Sequence, residues 1–285
     1  MPTLRQLRDR VKSLKNTQQI TRAMKMVAGA KIRRAELEMR AARPYAAAIG
    51  EMLTQLASSG GSSLSHPLLE SREVKTRGIL LMTADKGLAG AFNSNLVRAA
   101  LSEARGDTSA KLFLVGTKGR TQLRRAPYET AVAWPLLGKP FAELAKEVAA
   151  NVSEAFTSGA VDSVTLVSSR FVSTLVQRAT AMPLLPIAAA GATQRDSSKN
   201  SFEFEPDVTS VLTALLPKYL EFTIFQALLE TQASEFAARL IAMTNATDNA
   251  GKLIDEITLL MNKTRQASIT KEILEIVGGA EALKG

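Results

Sequence analysis

The sequence predicts a central α/β domain flanked by two long helices that pair as an antiparallel coiled coil. Three observations predict this class. Residues 1–57 and 207–285 are rich in helix-forming residues and contain few prolines. Residues 72–206 alternate short apolar runs with helical patterns. Each long helix is longer than a domain of about 135 residues is wide, so the two helices must extend beyond it as a stalk.

The first segment, residues 1–57, is predicted to be one coiled-coil helix. Leu4, Leu7, Val11 and Leu14 are spaced by three, four and three residues, which is typical of a narrow coiled-coil seam. The seam becomes polar over residues 16–19. We expect it to resume at Ile20 or Thr21, at Met24, and at Val27 or Ala28.

The central segment, residues 72–206, is predicted to be a Rossmann-like α/β domain that forms a foot for the stalk. Apolar runs predict strands, and the patterns between them predict helices, so parallel crossover connections are expected. The predicted strands are residues 78–83, 111–115, 162–169 and 171–182, and the predicted helices are 92–105, a short one after 115, and 141–156.

The last segment, residues 207–285, is predicted to be the second coiled-coil helix. Asp207 is a suitable N-cap. We expect Pro217 to separate a short helix from the long one, because proline disrupts a helix interior. Gly278 and Gly279 are expected to end the helix.

Helix length also predicts an unpaired tip. At about 1.5 Å per residue, the last helix extends beyond the start of the first by about three turns. The final stretch, residues 272–283, is mostly apolar. Apolar surface of this kind is unstable in water, so we expect a protein sleeve around the tip.

The composition excludes several classes of site. The chain has no cysteine and one histidine, His66, so disulfides, thiolate metal sites, the usual zinc sites and a histidine-based triad are not available. We expect no metal site and no membrane-spanning helix, because no apolar run reaches about 20 residues. Without an apolar signal-peptide core, the expected compartment is the cytoplasm.

The positive charge is concentrated in the first segment. Residues 1–57 carry 12 Lys and Arg against 4 Asp and Glu, whereas the whole chain has a net charge of +9. Three interpretations remain open from the residues alone: a nucleic-acid-binding helix, a solvated helix face, or a basic helix inside an acidic protein sleeve. The basic run lacks aromatic residues, so base stacking is unsupported.

The loop TADKGLAGAFN, residues 83–93, lies between a predicted strand and a predicted helix. Backbone N–H groups at a helix start can bind phosphate, so a nucleotide-dependent enzyme is a second alternative. The loop matches neither GxGxxG nor a Walker A motif. A tight structural turn is therefore the favoured interpretation.

Four motifs together resemble one family, the gamma subunit of bacterial F-type ATP synthase. They are LKNTQQITRAMKMVAGAKIRRAE (14–36), RPY (43–45), DKGLAGAFN (85–93) and MTNATDNAGKLIDEITLLMNKTRQASITKEILEIVGGAEAL (243–283). The resemblance covers both helices and the order of the three segments. A short connection before Phe202 and the absence of cysteine separate the chain from the redox-regulated photosynthetic forms.

The resemblance implies a rotor without an active site or cofactor of its own. Its partners would be a catalytic hexamer of three alpha and three beta subunits, the epsilon subunit and the c-ring, with one copy per complex. Membrane contact would occur only through the c-ring, at the cytoplasmic face of the bacterial inner membrane. Rotation of the shaft would then couple proton flow to ATP synthesis and hydrolysis.

The resemblance also implies roles for particular residues. The acidic lever loop of beta would contact the shaft at Met24 and Lys25, and a second beta loop would contact Arg265 and Gln266. Three further positions match residues tied to coupling, and three match the c-ring contact. These are Arg239, Thr270 and Glu272 for coupling, and Phe202, Phe204 and Glu205 for the c-ring.

Overall fold

The computed structural model describes residues 3–60, 66–104, 109–187 and 207–282. The elements in chain order are α1 (Leu4–Gly60), a short 3-10 helix (Pro67–Leu69), β1 (Arg77–Met82), α2 (Phe92–Glu103), β2 (Lys111–Val115), α3 (Thr117–Leu123), β3 (Glu129–Trp134), α4 (Phe141–Thr157), β4 (Ser163–Phe171), β5 (Gln177–Leu185) and α5 (Val208–Ala282). The fold is therefore a mixed α/β sheet with long helices at both ends of the chain, as the sequence predicts.

The chain divides into two compact units. The central unit is Gly29–Arg239, and the terminal unit combines Met1–Ala28 with Leu240–Gly285. Both divisions fall inside a long helix, whereas the domain limits expected from sequence follow the ends of the helices. Those limits, 1–57, 72–206 and 207–285, stay a prediction.

A five-stranded sheet organises the central unit, in the order β3-β2-β1-β4-β5. The first four strands are parallel and β5 is antiparallel to β4. The central strand β1 is buried along almost its whole length, as expected for a parallel strand covered on both faces. Ile79 and Leu81 pack on one face of the sheet with α2, while Leu80 and Met82 pack on the other with α4 and α5.

Two strand expectations were wrong. The sequence analysis missed β3, an edge strand whose first three residues are exposed, so its apolar pattern is weak. The strand expected at residues 171–182 is instead the end of β4, a tight turn and the first part of β5. The apolar residues Val172, Leu175 and Val176 belong to that turn and are exposed, so they resemble a strand without forming one.

The last helix differs from expectation at two places. Asp207 caps it as expected, accepting hydrogen bonds from the Ser210 N–H at 2.9 Å and the Ser210 hydroxyl at 2.6 Å. Pro217, however, lies inside α5 and separates no short helix. Core burial of the flanking residues offsets the hydrogen bond lost at the proline; these residues are Leu212, Leu216, Leu220 and Ile224. Helix α5 also continues through Gly278 and Gly279 to Ala282.

Helix α5 is the element that bears on the expectation that no helix spans a membrane. Within the described residues, Thr209–Ala280 contains an 18-residue window with a mean hydropathy of 1.2, long and apolar enough to cross a membrane by composition alone. One third of that window is buried in the protein. Core helices of water-soluble proteins meet the same criterion, so this property alone assigns no membrane span.

Candidate interaction surfaces

The terminal unit is a two-helix pair with a regular seam. Both helices place a buried or half-buried residue at alternating steps of three and four, the heptad spacing of a coiled coil. The seam positions are Leu4, Leu7, Val11, Leu14, Gln18, Thr21, Lys25 and Ala28 on α1, and Met243, Thr247, Ala250, Ile254, Ile257, Met261, Thr264 and Ser268 on α5.

Two contacts fix the register and direction of the pair. The Thr247 hydroxyl donates to the Thr21 hydroxyl oxygen at 2.8 Å. One turn further, the Gln18 amide nitrogen lies 3.0 Å from where a Cβ on Gly251 would stand. From the first contact to the second, the residue number falls on α1 and rises on α5, so the helices are antiparallel. Equal rise from these contacts places Leu4 opposite Thr264.

The structure resolves the two ambiguous seam positions on α1. Thr21 and Ala28 are buried, with exposed fractions of 9% and 1%. Ile20 and Val27 are exposed, at 61% and 56%. Large apolar side chains therefore point away from the seam, where a surrounding partner could contact them.

Met24 and Lys25 lie together near the Ala28 end of this pair. Both side chains are half-buried, and Lys25 occupies a seam position. Met26, the next residue, is 66% exposed. A polarizable thioether beside a lysine in the seam offers both flexible apolar contact and a positive charge.

Beyond Ser268, helix α5 has no packed seam. Residues 269–280 are all exposed. The next heptad positions are Lys271, Glu275 and Gly278, which offer no large apolar side chain. The residue types therefore also mark the end of the seam. Lys271 and Glu275 form an exposed ion pair at 3.5 Å.

The unpacked part of α5 instead carries apolar residues on another face. Ile269, Ile273 and Ile276 follow helical spacing of four and three residues, and Ile276 is 71% exposed. We call these three residues the tip stripe. Helical geometry places Arg265 and Glu272 along one side of it and Gln266 and Thr270 along the other.

The four residues expected at this end of α5 are therefore brought together on one surface. Arg265, Gln266, Thr270 and Glu272 are all exposed. The Thr270 hydroxyl donates to the Gln266 carbonyl oxygen at 3.0 Å, a bond within the helix. Within the described part of the chain, Arg265 has no acidic partner, so its guanidinium is available to a carboxylate.

Arg239 lies in the central unit, in a buried environment. It forms an ion pair with Glu235 one turn earlier, and both side chains are about 90% buried. It also donates to the Gly87 carbonyl oxygen at 3.1 Å, which ties α5 to the turn after β1. Burial raises the pKa of Glu235, and the charges of Arg239, Lys31 and Lys86 only partly counter this. Sequence reasoning missed Glu235.

The turn after β1 is held by its own side chains. Asp85 accepts hydrogen bonds from the Thr117 N–H and the Leu137 N–H, both at 2.7 Å, and from the Thr117 hydroxyl at 2.8 Å. Burial alone would raise the pKa of Asp85, but these hydrogen bonds outweigh it and lower the pKa below its ordinary value of 3.8.

Further contacts favour a structural turn over a phosphate site. The Asn93 side-chain oxygen accepts from the Ala84 N–H at 3.0 Å, and the Thr83 hydroxyl oxygen accepts from the Gly119 N–H at 2.8 Å. A side chain at Gly116, where φ is +95°, would come within 2.1 Å of the Thr83 carbonyl oxygen. The polar groups of this turn therefore hold it to neighbouring strands and loops, as expected of a structural turn.

Phe202, Phe204 and Glu205, the positions expected to contact the c-ring, lie outside the described residues. Across the described residues, no group of three or more His, Asp or Glu side chains is arranged to hold a metal ion. The tip stripe was foreseen only as an apolar tip, because its separate face depends on where the seam ends.

Comparison with known proteins gives consistent matches along the chain. A family model described as ATP synthase matches residues 3–283. The ATP synthase gamma chain of Desulforamulus reducens is 46% identical over 285 residues, covering 100% of both chains. That of Pelotomaculum thermopropionicum is 48% identical over 287 residues, also covering 100% of both chains.

A solved structure shares the architecture. A chain of the central stalk and c-ring of the Tetrahymena thermophila mitochondrial ATP synthase is 25% identical, with a TM-score of 0.62. The match covers 80% of this chain and 99% of that one. With the family model and the full-length relatives, this shows that the chain belongs to the ATP synthase gamma chain family.

Proposed function

We propose that this chain is the central rotor shaft of a proton-translocating F-type ATP synthase. It couples rotation of the c-ring to conformational cycling of the catalytic beta subunits. It therefore associates with the catalytic subunits and with the c-ring, a proposal that the solved structure of a central stalk together with a c-ring supports. The comparisons lend no support to the nucleic-acid alternative.

The observation that carries this proposal is the end of the packed seam at Ser268. A water-exposed helix with a stripe of three isoleucines is unfavourable in an isolated protein. A hollow hexamer that surrounds the tip would cover the stripe. Arg265 and Gln266, at its flank, would then contact a beta loop, and Arg265 could bind a carboxylate bidentately.

The basic α1 helix supplies the second set of contacts. Residues 1–57 carry most of the net positive charge of the chain, which complements the acidic lever loop of beta. Met24 and Lys25 lie half-buried in the pair, so they can receive force and pass it to both helices. We assign the torque contact to them.

A shaft drives its partners through differential contacts. Each rotational position must favour one conformation of each beta site over another, because a contact that is equal in all states shifts no equilibrium. The faces of the helix pair carry different exposed residues, so the pair can make different contacts with each beta subunit. Thr270 and Glu272 lie on opposite sides of the tip stripe, and we assign them to coupling.

Arg239 would act on coupling indirectly. It is buried, and it holds the turn after β1 against α5 through Gly87 and Glu235. Its role in coupling would be to position this turn. A chain that lost the contact would transmit rotation between α5 and the sheet less rigidly.

The finer assembly follows from the family resemblance. We place one copy of the chain in each complex, with epsilon beside the central unit. Phe202, Phe204 and Glu205 would contact the c-ring. The complex would lie at the cytoplasmic face of the bacterial inner membrane, and this chain would reach the membrane only through the c-ring.

Reconstitution tests the proposal. Alpha and beta subunits from the same organism are purified with and without this chain, and ATPase rate and subunit ratio are measured. We expect capture at one copy per hexamer and cooperative, stimulated hydrolysis. Competent hexamers that leave the chain free would overturn the proposal.

A further inference from the structure

The hairpin between β4 and β5 ends in an exposed apolar turn. Leu175 at its end is 78% exposed, Val172 is 55% exposed and Val176 is 41% exposed. We call these three residues the hairpin tip. Sequence analysis placed them in a strand, so their exposure needs an explanation that core packing does not supply.

The hairpin tip is held in one shape. The Ser173 hydroxyl oxygen accepts from the N–H groups of Leu175 and Val176, at 3.3 and 3.1 Å. The Val176 carbonyl oxygen accepts from the N–H groups of Val172 and Ser173, at 3.3 and 3.1 Å. The Gln177 side chain donates to the Ser173 and Thr174 carbonyl oxygens. Apolar side chains on a rigid turn lose little entropy when they bind.

Two arginines lie directly below the hairpin tip. Arg170 on β4 and Arg178 on β5 are opposite each other in the antiparallel register, and both are exposed. Like charges at opposite positions destabilise a sheet. The hairpin, residues 163–185, contains no aspartate or glutamate. The arginine pair therefore complements an acidic group from another molecule.

The position of the hairpin selects among the partners in the proposed function. β5 ends at Leu185, opposite Val164 at the amino ends of the parallel strands. The turn after β1, which Arg239 contacts through Gly87, lies at the carboxyl ends of those strands. The hairpin tip lies at this same edge, because β4 is parallel to β1 and its nine residues span about 30 Å.

We infer that the hairpin tip and the arginine pair form a docking surface for an acidic, partly apolar segment of the catalytic beta subunit. This inference rests on the proposed function. Carboxylates of the segment would pair with Arg170 and Arg178, while an apolar side chain would pack on Leu175. The contact is separate from those assigned to Met24 and Arg265.

Cross-linking tests the inference directly, because the chain has no cysteine of its own. Leu175→Cys is labelled with a photoreactive maleimide in the assembled complex, and the partner is identified by mass spectrometry. We expect cross-links to an acidic segment of beta. Adding Arg170→Ser and Arg178→Ser should lower the yield about fivefold, as expected for exposed charge pairs. Leu137→Ser, an equally simple loss of an exposed leucine, should not change it.

Two controls separate this inference from the proposed function. Met24→Cys, labelled in the same way, reports the shaft contact with beta. If Met24→Cys cross-links to beta while Leu175→Cys gives no product, or a product with the c-ring, epsilon or lipid, the docking surface is wrong and the rotor assignment stands. If the chain is not captured by the hexamer at all, both are wrong.

Discussion

Arg239 and Glu235 form a buried ion pair on α5, and breaking this pair should lower the free energy of unfolding. Arg239→Ala leaves the Glu235 carboxylate buried without its partner, which costs about 3–5 kcal/mol. We expect a lower free energy of unfolding at pH 8 and a smaller loss at pH 5. The sign follows because burial already raises the pKa of Glu235, so the variant regains stability when the group takes up a proton.

Chemical denaturation of the isolated chain measures this effect. Glu235→Gln in the Arg239→Ala background removes the stranded charge and should restore part of the stability. Lys218→Ala, which removes an exposed ion pair with Glu221, is the matched control and should change stability by less than about 1 kcal/mol. Equal losses in Arg239→Ala and the control would contradict a buried pair.

Asp85 gives a pH-dependent prediction of the opposite sign. Its pKa is lowered by hydrogen bonds from Thr117 and Leu137 that outweigh burial, so its contribution is present above pH 4 and lost as pH falls through the folded pKa. Asp85→Asn should destabilise the chain by about 1–3 kcal/mol at pH 7. The difference from the wild type should shrink below pH 4 in thermal melts. A constant difference down to pH 2.5 would rule out this role for the carboxylate.

Arg265 and Gln266 are exposed and make few contacts in the chain itself. Alanine at both positions should therefore leave the stability of the isolated chain within about 0.5 kcal/mol of the wild type. In the complex we expect assembly to persist while ATP hydrolysis and proton pumping both slow. Paired assays of the two rates check this. Unchanged rates would remove both residues from the coupling surface.

At the scale of elements, the tip stripe should matter for assembly more than for folding. Serine at Ile269, Ile273 and Ile276 removes exposed apolar surface outside the packed seam, so the isolated chain should melt as the wild type does. Each isoleucine buried by a partner contributes about 1.5–3 kcal/mol, so affinity for the alpha–beta hexamer should fall at least tenfold.

Titration of labelled chain against hexamer measures that loss. Lys271→Ala with Glu275→Ala, which changes an exposed pair on another face of the same helix, is the control. Affinity unchanged by the serine substitutions would show that nothing covers the stripe.

Sequence patterns predicted the elements that have strong periodicity and missed those set by tertiary contacts. The seam through Leu7, Val11 and Leu14 follows from spacing alone. Spacing alone does not show whether Ile20 or Thr21 occupies the seam. Hydrophobicity favours Ile20, whereas the register set by Thr247 places Thr21 in the seam. Edge strand β3 is half-exposed and lacks a strong pattern. Pro217 remains helical because the core binds α5 on both sides of it.

At the scale of the whole molecule, the family resemblance identified the partners, whereas the residues alone indicated only that partners are needed. The excess positive charge on residues 1–57 and the apolar end of the chain indicate a surrounding acidic partner without naming it. The buried location of Arg239 could not be predicted, because it depends on the contact with Gly87, which lies in the turn after β1 and far from α5 in the sequence.

Rotation of this chain inside the catalytic hexamer can be observed directly. Glu73, exposed before β1, offers a site for a probe, since Glu73→Cys introduces a single thiol. A bead is attached there, the alpha–beta hexamer is fixed to a surface, and the bead is observed during ATP hydrolysis. We expect sustained rotation in one direction, which stops when ATP is removed. A bead that stays fixed, or moves randomly, while ATP is hydrolysed at the full rate would contradict it.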